Sequence, residues 1–449
     1  MHSATQKLVF AATSRMTELF PVIGARLLDA TVRPLAGSRA LATLFTRRNR
    51  AIMRGVKSFR RFLVIPDIHI GDAVLTQPAL TAVRDFFPDA EIDYVVSSAA
   101  APLIEGNPDA TRILPAFSGG SFPSLTDVAA LRELIREGRY DLCLSFSSLL
   151  EPQEQADLAQ PFVSIMSHGA TIVRNERDPA EINHFSYQHY RFVRGVLAMA
   201  ARPVREERYR GARATLSDEA IEGARHFAAR SRLVPEAPLV MFNPDGASPY
   251  TRMPFESQHA LLRRIARDTP AEATILVGAG HTDEGIGQRL VDAMPAARRS
   301  KIRIIPRRLP LAAYAALLDL ADVFVTGDTG PLHLAAARRY SRSGAHTFRN
   351  RTAVVSFFGA TLPRMSGYDS SQPGYLPANQ DAPSWCFHAA SRCHNITCLN
   401  KLYKTCRVVR CFEHLDVAAV ADVVVSHLAG LAAPAPVTEP QHTSEPTLV

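Results

Sequence analysis

Along residues 61–358, short and nearly continuous apolar runs alternate with longer stretches whose apolar positions recur at helical spacing. The first run, RFLVIP at 61–66, leads into the turn-like DIHIGD and a helix-compatible stretch from Ala73 to Phe86. Similar runs come at Ile92 to Val96, Leu142 to Phe146 and Phe162 to Met166. A second series runs through Leu239 to Phe242, Thr274 to Val277, Ile302 to Ile305, Val323 to Thr326 and Ala353 to Phe358. Strands this rich in Val, Ile, Leu and Phe belong to parallel sheets covered on both faces, and their spacing predicts βα units. The expected fold class is α/β, with two successive Rossmann-like, doubly wound domains.

Between the later runs, helices are predicted at Phe255 to Arg267, Gly285 to Ala293, Leu311 to Leu320 and Leu332 to Arg339. A closing helix at Asp416 to Leu431 is expected to cross back to the first domain. The polar stretch Tyr340 to Arg351 reads as an exposed insertion. The expected divisions are a basic helical extension over 1–60, a first domain over 61–220, a second over 221–431, and a disordered proline-bearing tail over 432–449.

Length and composition agree with two cores: 449 residues at 47% hydrophobic exceed what one core usually serves. The net charge is +8, and through residue 61 ten arginines face only Glu18 and Asp29. That imbalance predicts an anionic partner or surface. No nucleic-acid-binding module is visible, and no segment has the apolar length of a membrane span or the order of a secretory signal. A cytoplasmic enzyme is expected. The stretches Thr17 to Leu28 and Leu35 to Met53 can lie as amphipathic helices on the anionic inner face of a membrane, or pack on the enzyme as a solvated extension.

In open parallel sheets, ligands sit beyond the carboxyl ends of strands. Two such places carry chemistry: Gly71-Asp72 after the opening strand, and TGDTGPLHLAAA, Thr326 to Ala337, after a late one. In the second, Gly327 and Gly330 allow close backbone approach, Pro331 suits a first helical turn, and the amides after it can hold a diphosphate. Asp328, Thr329 and His333 stand beside it, with helix capping and a structural histidine as the alternatives. Asp72, from its position before the helix-compatible stretch, can serve as a helix N-cap.

The pattern DTGPLHLAAA, Asp328 to Ala337, resembles the nucleotide-sugar signature of glycosyltransferase family 9, the lipopolysaccharide heptosyltransferases. Leu63 to Val96 and the flanks ALLDLADVFVTG and VVSFFGATLPRMSGY resemble the same family. The resemblance implies GT-B architecture: two Rossmann-like domains facing a cleft, acceptor on the first, nucleotide-sugar donor on the second. It implies Asp72 as catalytic base, Gly71 on the acceptor side, and Asp328, Thr329, Gly330 and His333 at the donor diphosphate and sugar. His69 on that acceptor side either contacts an acidic acceptor or only shapes the loop. Gly278 and Gly280 then border the donor nucleotide, with ordinary turn formation as the alternative. The family's phosphate-directed lysine falls at Thr251, so Arg252 is the replacement cation, and Pro66 departs from the family's first loop.

The resemblance further implies inverting transfer without a required cofactor, from ADP-heptose or a related donor to a glycan or glycolipid acceptor such as lipopolysaccharide core. Alternatives are a protein heptosyltransferase and a non-catalytic nucleotide-sugar-binding protein. The five cysteines Cys386, Cys393, Cys398, Cys406 and Cys411 fall within 26 residues. Structural zinc or iron held by four of them, disulfides and reduced thiols all stand open, and a reducing cytoplasm disfavours the disulfides.

Overall fold

The computed structural model describes residues 39–67, 69–117, 125–146, 160–164, 182, 184–201, 208–246, 251–359, 361–378, 382–389 and 411–432. The segments 17–28 and 433–449 lie outside them, as do Cys393, Cys398 and Cys406.

Five parallel strands form the first sheet: β1 (Arg61–Ile65), β2 (Glu91–Ser97), β3 (Arg112–Phe117), β4 (Leu142–Ser145) and β5 (Phe162–Ser164). Their order is β3-β2-β1-β4-β5. β1 is central because every one of its apolar residues is covered: Phe62, Leu63, Val64 and Ile65 are all fully buried. Each such side chain removed from water contributes about 1.5–3 kcal/mol.

After β6 (Arg213–Leu216) come β7 (Leu239–Asn243), β8 (Thr274–Gly278), β9 (Ile302–Ile305), β10 (Val323–Gly327), β11 (Arg338–Ser341), β12 (Ala353–Phe358) and β13 (Ser384–His388). Six of these form the second sheet, also wholly parallel, in the order β13-β12-β10-β7-β8-β9. The predicted α/β class, two successive Rossmann-like domains, is the fold observed.

Several boundaries differ from those expected. The stretch predicted as one helix from Ala73 is two, Ile70–Leu75 and Gln77–Phe86, divided at Thr76 because Pro78 occupies the first turn of the second. The closing helix, Val417–Ala432, packs on the helix Phe255–Asp268 and on β12, sharing the second sheet's core rather than crossing to the first domain. Its buried Val420, Ala421, Val424 and Leu428 present one apolar stripe to that core.

The expected helix through Arg339 stops at Ala336. The chain there extends into β11, which pairs in parallel with β6, so the supposed insertion begins as a strand. Its Arg339 is 1% exposed. The guanidinium meets Asp319 at 3.3 Å, donates to the carbonyls of Leu334 and Ala335 at the helix's end, and reaches the Thr352 hydroxyl. A buried charge needs that full set of partners. The helix carrying the DTG signature is thus anchored at its carboxyl end.

At the amino end, the helix Arg39–Gly55 packs against β5 and the helix Phe185–Leu197, burying Met53 and leaving Arg47, Arg48, Arg50 and Arg54 exposed.

Candidate functional site

β1 and β10 end at the same region. Beyond β1, His69 occupies the N-cap position of Ile70–Leu75 without capping through its side chain. Asp72 is therefore the third helical residue, not the cap, and the capping alternative falls. A carboxylate in the first turn is favoured by the helix's positive end. Below it, the buried Tyr94 donates to the Ala73 carbonyl at 2.6 Å. Burial raises the Tyr94 hydroxyl's pKa well above its usual range, with the Asp72 charge adding to the rise.

Beyond β10, Thr329 sits at the N-cap position of Gly330–Ala336 and does not cap it either. Its hydroxyl lies 3.2 Å from that of Thr326 and accepts from Asn243 at 3.3 Å. Asp328 accepts from the hydroxyls of Thr361 at 2.6 Å and Ser366 at 3.1 Å. Desolvation raises its pKa above the ordinary carboxylate range, against those two hydrogen bonds. Capping thus accounts for neither side chain.

The two helices meet at glycines. A β-carbon on Gly71 would stand 2.9 Å from Cδ2 of His333 and 3.4 Å from the Gly330 α-carbon. One on Gly330 would stand 3.5 Å from the Gly71 amide nitrogen. A single apolar cluster runs through Ala73, Val74, Leu332, Ala336 and Tyr368, so this seam is packed. The turn bearing Asp72 thus lies beside the DTG turn.

Arg252 is held between carboxylates: Asp245 at 3.3 Å and Asp283 at 3.0 Å. It also donates to the Gly246 carbonyl at 3.3 Å. The residue that sequence reasoning missed here is Asp245, 8% exposed. Its carboxylate accepts from the amides of His281 and Thr282, both at 2.5 Å, and of Gly246 at 2.8 Å. It closes the turn after β8. Gly280, at φ +95°, is demanded by that turn, since a β-carbon would lie 2.2 Å from the Asp283 carbonyl. Gly278 is not: an added carbon there meets only ordinary contacts, the nearest at 3.5 Å. His69 is exposed, and its carbonyl accepts from Ala73 at 3.0 Å.

His333, expected at the donor, is 5% exposed, and its Nδ1 lies 3.2 Å from the Tyr368 hydroxyl. Tyr368 in turn contacts His184, with ring centroids 4.6 Å apart and the planes tilted by 47°. Burial depresses His333 to about 3, helped by the neighbouring His184. It depresses His184 to about 4, against the opposing pull of the Ser366 backbone. Both imidazoles are neutral. Neither Tyr368 nor His184 stands out in the sequence, although Tyr368 closes the family-like flank VVSFFGATLPRMSGY.

Residues 210–341 match the profile of glycosyltransferase family 9 (heptosyltransferase). That stretch is similar to family 9. A stretch of 79 residues is 27% identical to lipopolysaccharide heptosyltransferase 3 of Escherichia coli (strain K12). That match spans 17% of this chain and 23% of the relative's length. Two solved structures share the fold. The family 9 glycosyltransferase of Veillonella parvula DSM 2008 superposes with a TM-score of 0.59 at 18% identity, over 83% of this chain and 98% of that one. The E. coli ADP-heptose lps heptosyltransferase II does so with a TM-score of 0.51 at 15% identity, over 83% and 100%. The architecture is GT-B, and the matched segment holds the DTG helix, the Arg252 network and the β6–β11 pair.

Of the five clustered cysteines, Cys386 and Cys411 are described. Cys386 packs beside Gly367 in the cluster shared with the first domain, whereas Cys411 sits beside Gly359 and Phe412 in the other. Cys386 and Cys411 thus belong to different apolar clusters. Burial pushes the Cys386 thiol well up. Among the described residues, no three or more His, Cys, Asp or Glu side chains are grouped to hold a metal.

Proposed function

We propose that this chain is an inverting glycosyltransferase, taking heptose or a related sugar from a nucleotide-sugar donor, ADP-heptose in the first instance, to a bacterial surface-glycan acceptor such as lipopolysaccharide core. The observation that carries the reading is the glycine seam, where the turn bearing Asp72 touches the first turn of Gly330–Ala336. Asp72 accepts the proton of the acceptor hydroxyl as its oxygen bonds to the anomeric carbon. The bond from that carbon to the diphosphate breaks, and its electron pair leaves on the phosphate oxygen. Backbone amides beyond Thr329 and Gly330, with Arg252 nearby, stabilise that charge. Asp328 and Thr329 orient the sugar and diphosphate, and the Gly278 to Asp283 turn flanks the nucleoside.

Transfer on this reading requires no cofactor. A structural zinc or iron would be held by four of the five cysteines between Cys386 and Cys411, separately from the transfer chemistry. The exposed Arg47, Arg48, Arg50 and Arg54 suit peripheral contact with the anionic inner face of the membrane, although no described helix is long and apolar enough to cross it.

The test is incubation with a panel of nucleotide-sugars and glycan acceptors, read by product mass and anomeric NMR. Transfer with inverted configuration is the expected result. Donor binding without transfer or hydrolysis across the panel would instead favour the non-catalytic alternative.

A further inference from the structure

We infer that Tyr368 is a positioning residue, whose hydroxyl fixes His333 as the neutral tautomer protonated at Nε2 and so presents an N–H donor at the seam between the two domains. This deepens the proposed transfer reaction and rests on it for its purpose, though not for its geometry.

The deduction starts from the Tyr368 hydroxyl, on a residue 5% exposed. A buried O–H needs an acceptor, because leaving it unmade costs more than a typical hydrogen bond contributes. Among the described residues, Nδ1 of His333, at 3.2 Å, is the one hydrogen-bond partner of that oxygen. Were Nδ1 to carry the proton, the tyrosine proton would have no acceptor there. Tyr368 therefore donates, Nδ1 accepts, and the ring proton resides on Nε2. Burial keeps the ring from taking a second proton.

The position of Nε2 gives this tautomer its use. A β-carbon on Gly71 would lie 3.7 Å from Nε2 and 2.9 Å from Cδ2, so that edge of the ring faces the turn carrying Asp72. Nε2 has no hydrogen bond to any described residue and is not sealed from solvent. It is free to donate to a donor-sugar or phosphate oxygen between Asp72 and the DTG turn. His184, at the start of a helix packed on the first domain, also contacts the ring of Tyr368, tilted at 47° to it. The first domain thus adds a ring contact to a pair that lies wholly in the second.

Nitrogen-15 NMR of histidine-labelled full-length protein reads the tautomer directly. Wild-type His333 is expected to show a protonated Nε2 and an unprotonated Nδ1. Tyr368→Phe keeps the ring and its contacts with both imidazoles and removes only the hydroxyl. It should convert that signature to a mixture of tautomers, with kcat about tenfold lower and donor KM changed less. A protonated Nδ1 in the wild type, or an unaltered signature in Tyr368→Phe, overturns the inference. Should Tyr368→Phe not fold, the wild-type spectrum still decides. A correct tautomer shift without any sugar transfer would retain the inference while defeating the proposed reaction.

Discussion

Gly71→Ala tests whether the seam is a working geometry. The added carbon would meet Cδ2 of His333 at 2.9 Å, whereas carbon contacts are optimal at about 3.5–4.0 Å. The overlap is roughly 0.6–1 Å. His333 cannot yield cheaply, because its ring is 5% exposed and tied to Tyr368. The domains must therefore part by about that distance. Misplacing reacting groups by about 1 Å can cost about 10²-fold in rate, so turnover should fall between about tenfold and 10²-fold. Folding should suffer little, since alanine is favoured over glycine in a helix by about 0.5–1 kcal/mol and parting relieves the clash. Gly330→Ala provides the steric control: its added carbon meets Gly71 and Ile70 at 3.5 and 3.7 Å, ordinary contact. Its ligand-free scattering profile should match the wild type, while that of Gly71→Ala should expand. The assay pairs turnover with thermal unfolding and small-angle scattering. Wild-type turnover in Gly71→Ala would refute the reasoning.

Asp245→Ala removes the acceptor of the His281 and Thr282 amides and one of the carboxylates beside Arg252. Hydrogen bonds to a charged group contribute about 1.5–3 kcal/mol, so donor KM should rise at least about tenfold with little change in kcat; titration calorimetry with the nucleotide diphosphate checks it. Acidification should destabilise the protein through His184, whose folded pKa of about 4 lies below the ordinary 6.5. That contribution, ~3 kcal/mol, is fully present above pH 6.5 and is lost as pH falls toward 4. His184→Asn, which can still cap its helix, should flatten that part of the curve in denaturant titrations run across pH.

The strands that were legible are those with continuous apolar runs, such as β1 and β12, where burial on both faces leaves no alternation to confuse with other elements, whereas β3, β6 and β13 went unread. β11 was hidden. Arg338 to Ser341 is polar and basic, and its extended form is set by a partner, β6, distant in sequence, together with the buried Arg339–Asp319 pair. The site divided along the same line. DTGPLH and the Gly71-Asp72 turn could be read because glycine, proline and carboxylate at strand ends have local meaning. That Asp72 lies inside its helix, with His69 at the cap position, depended on where the helix begins. The roles of Asp245 and Tyr368 could not be read at all. Each acts on groups brought near only by packing, the amides after β8 and the imidazole of His333.

The proposed chemistry turns on Asp72 as the base of a sugar-transfer reaction at the seam. Asp72→Asn preserves size and most contacts while removing the charge that accepts a proton. Turnover and donor affinity should be measured together on this variant. The expected result is a loss of about 10²-fold or more in turnover with donor affinity close to that of the wild type. A folded Asp72→Asn protein that transfers sugar at the wild-type rate would overturn the assignment.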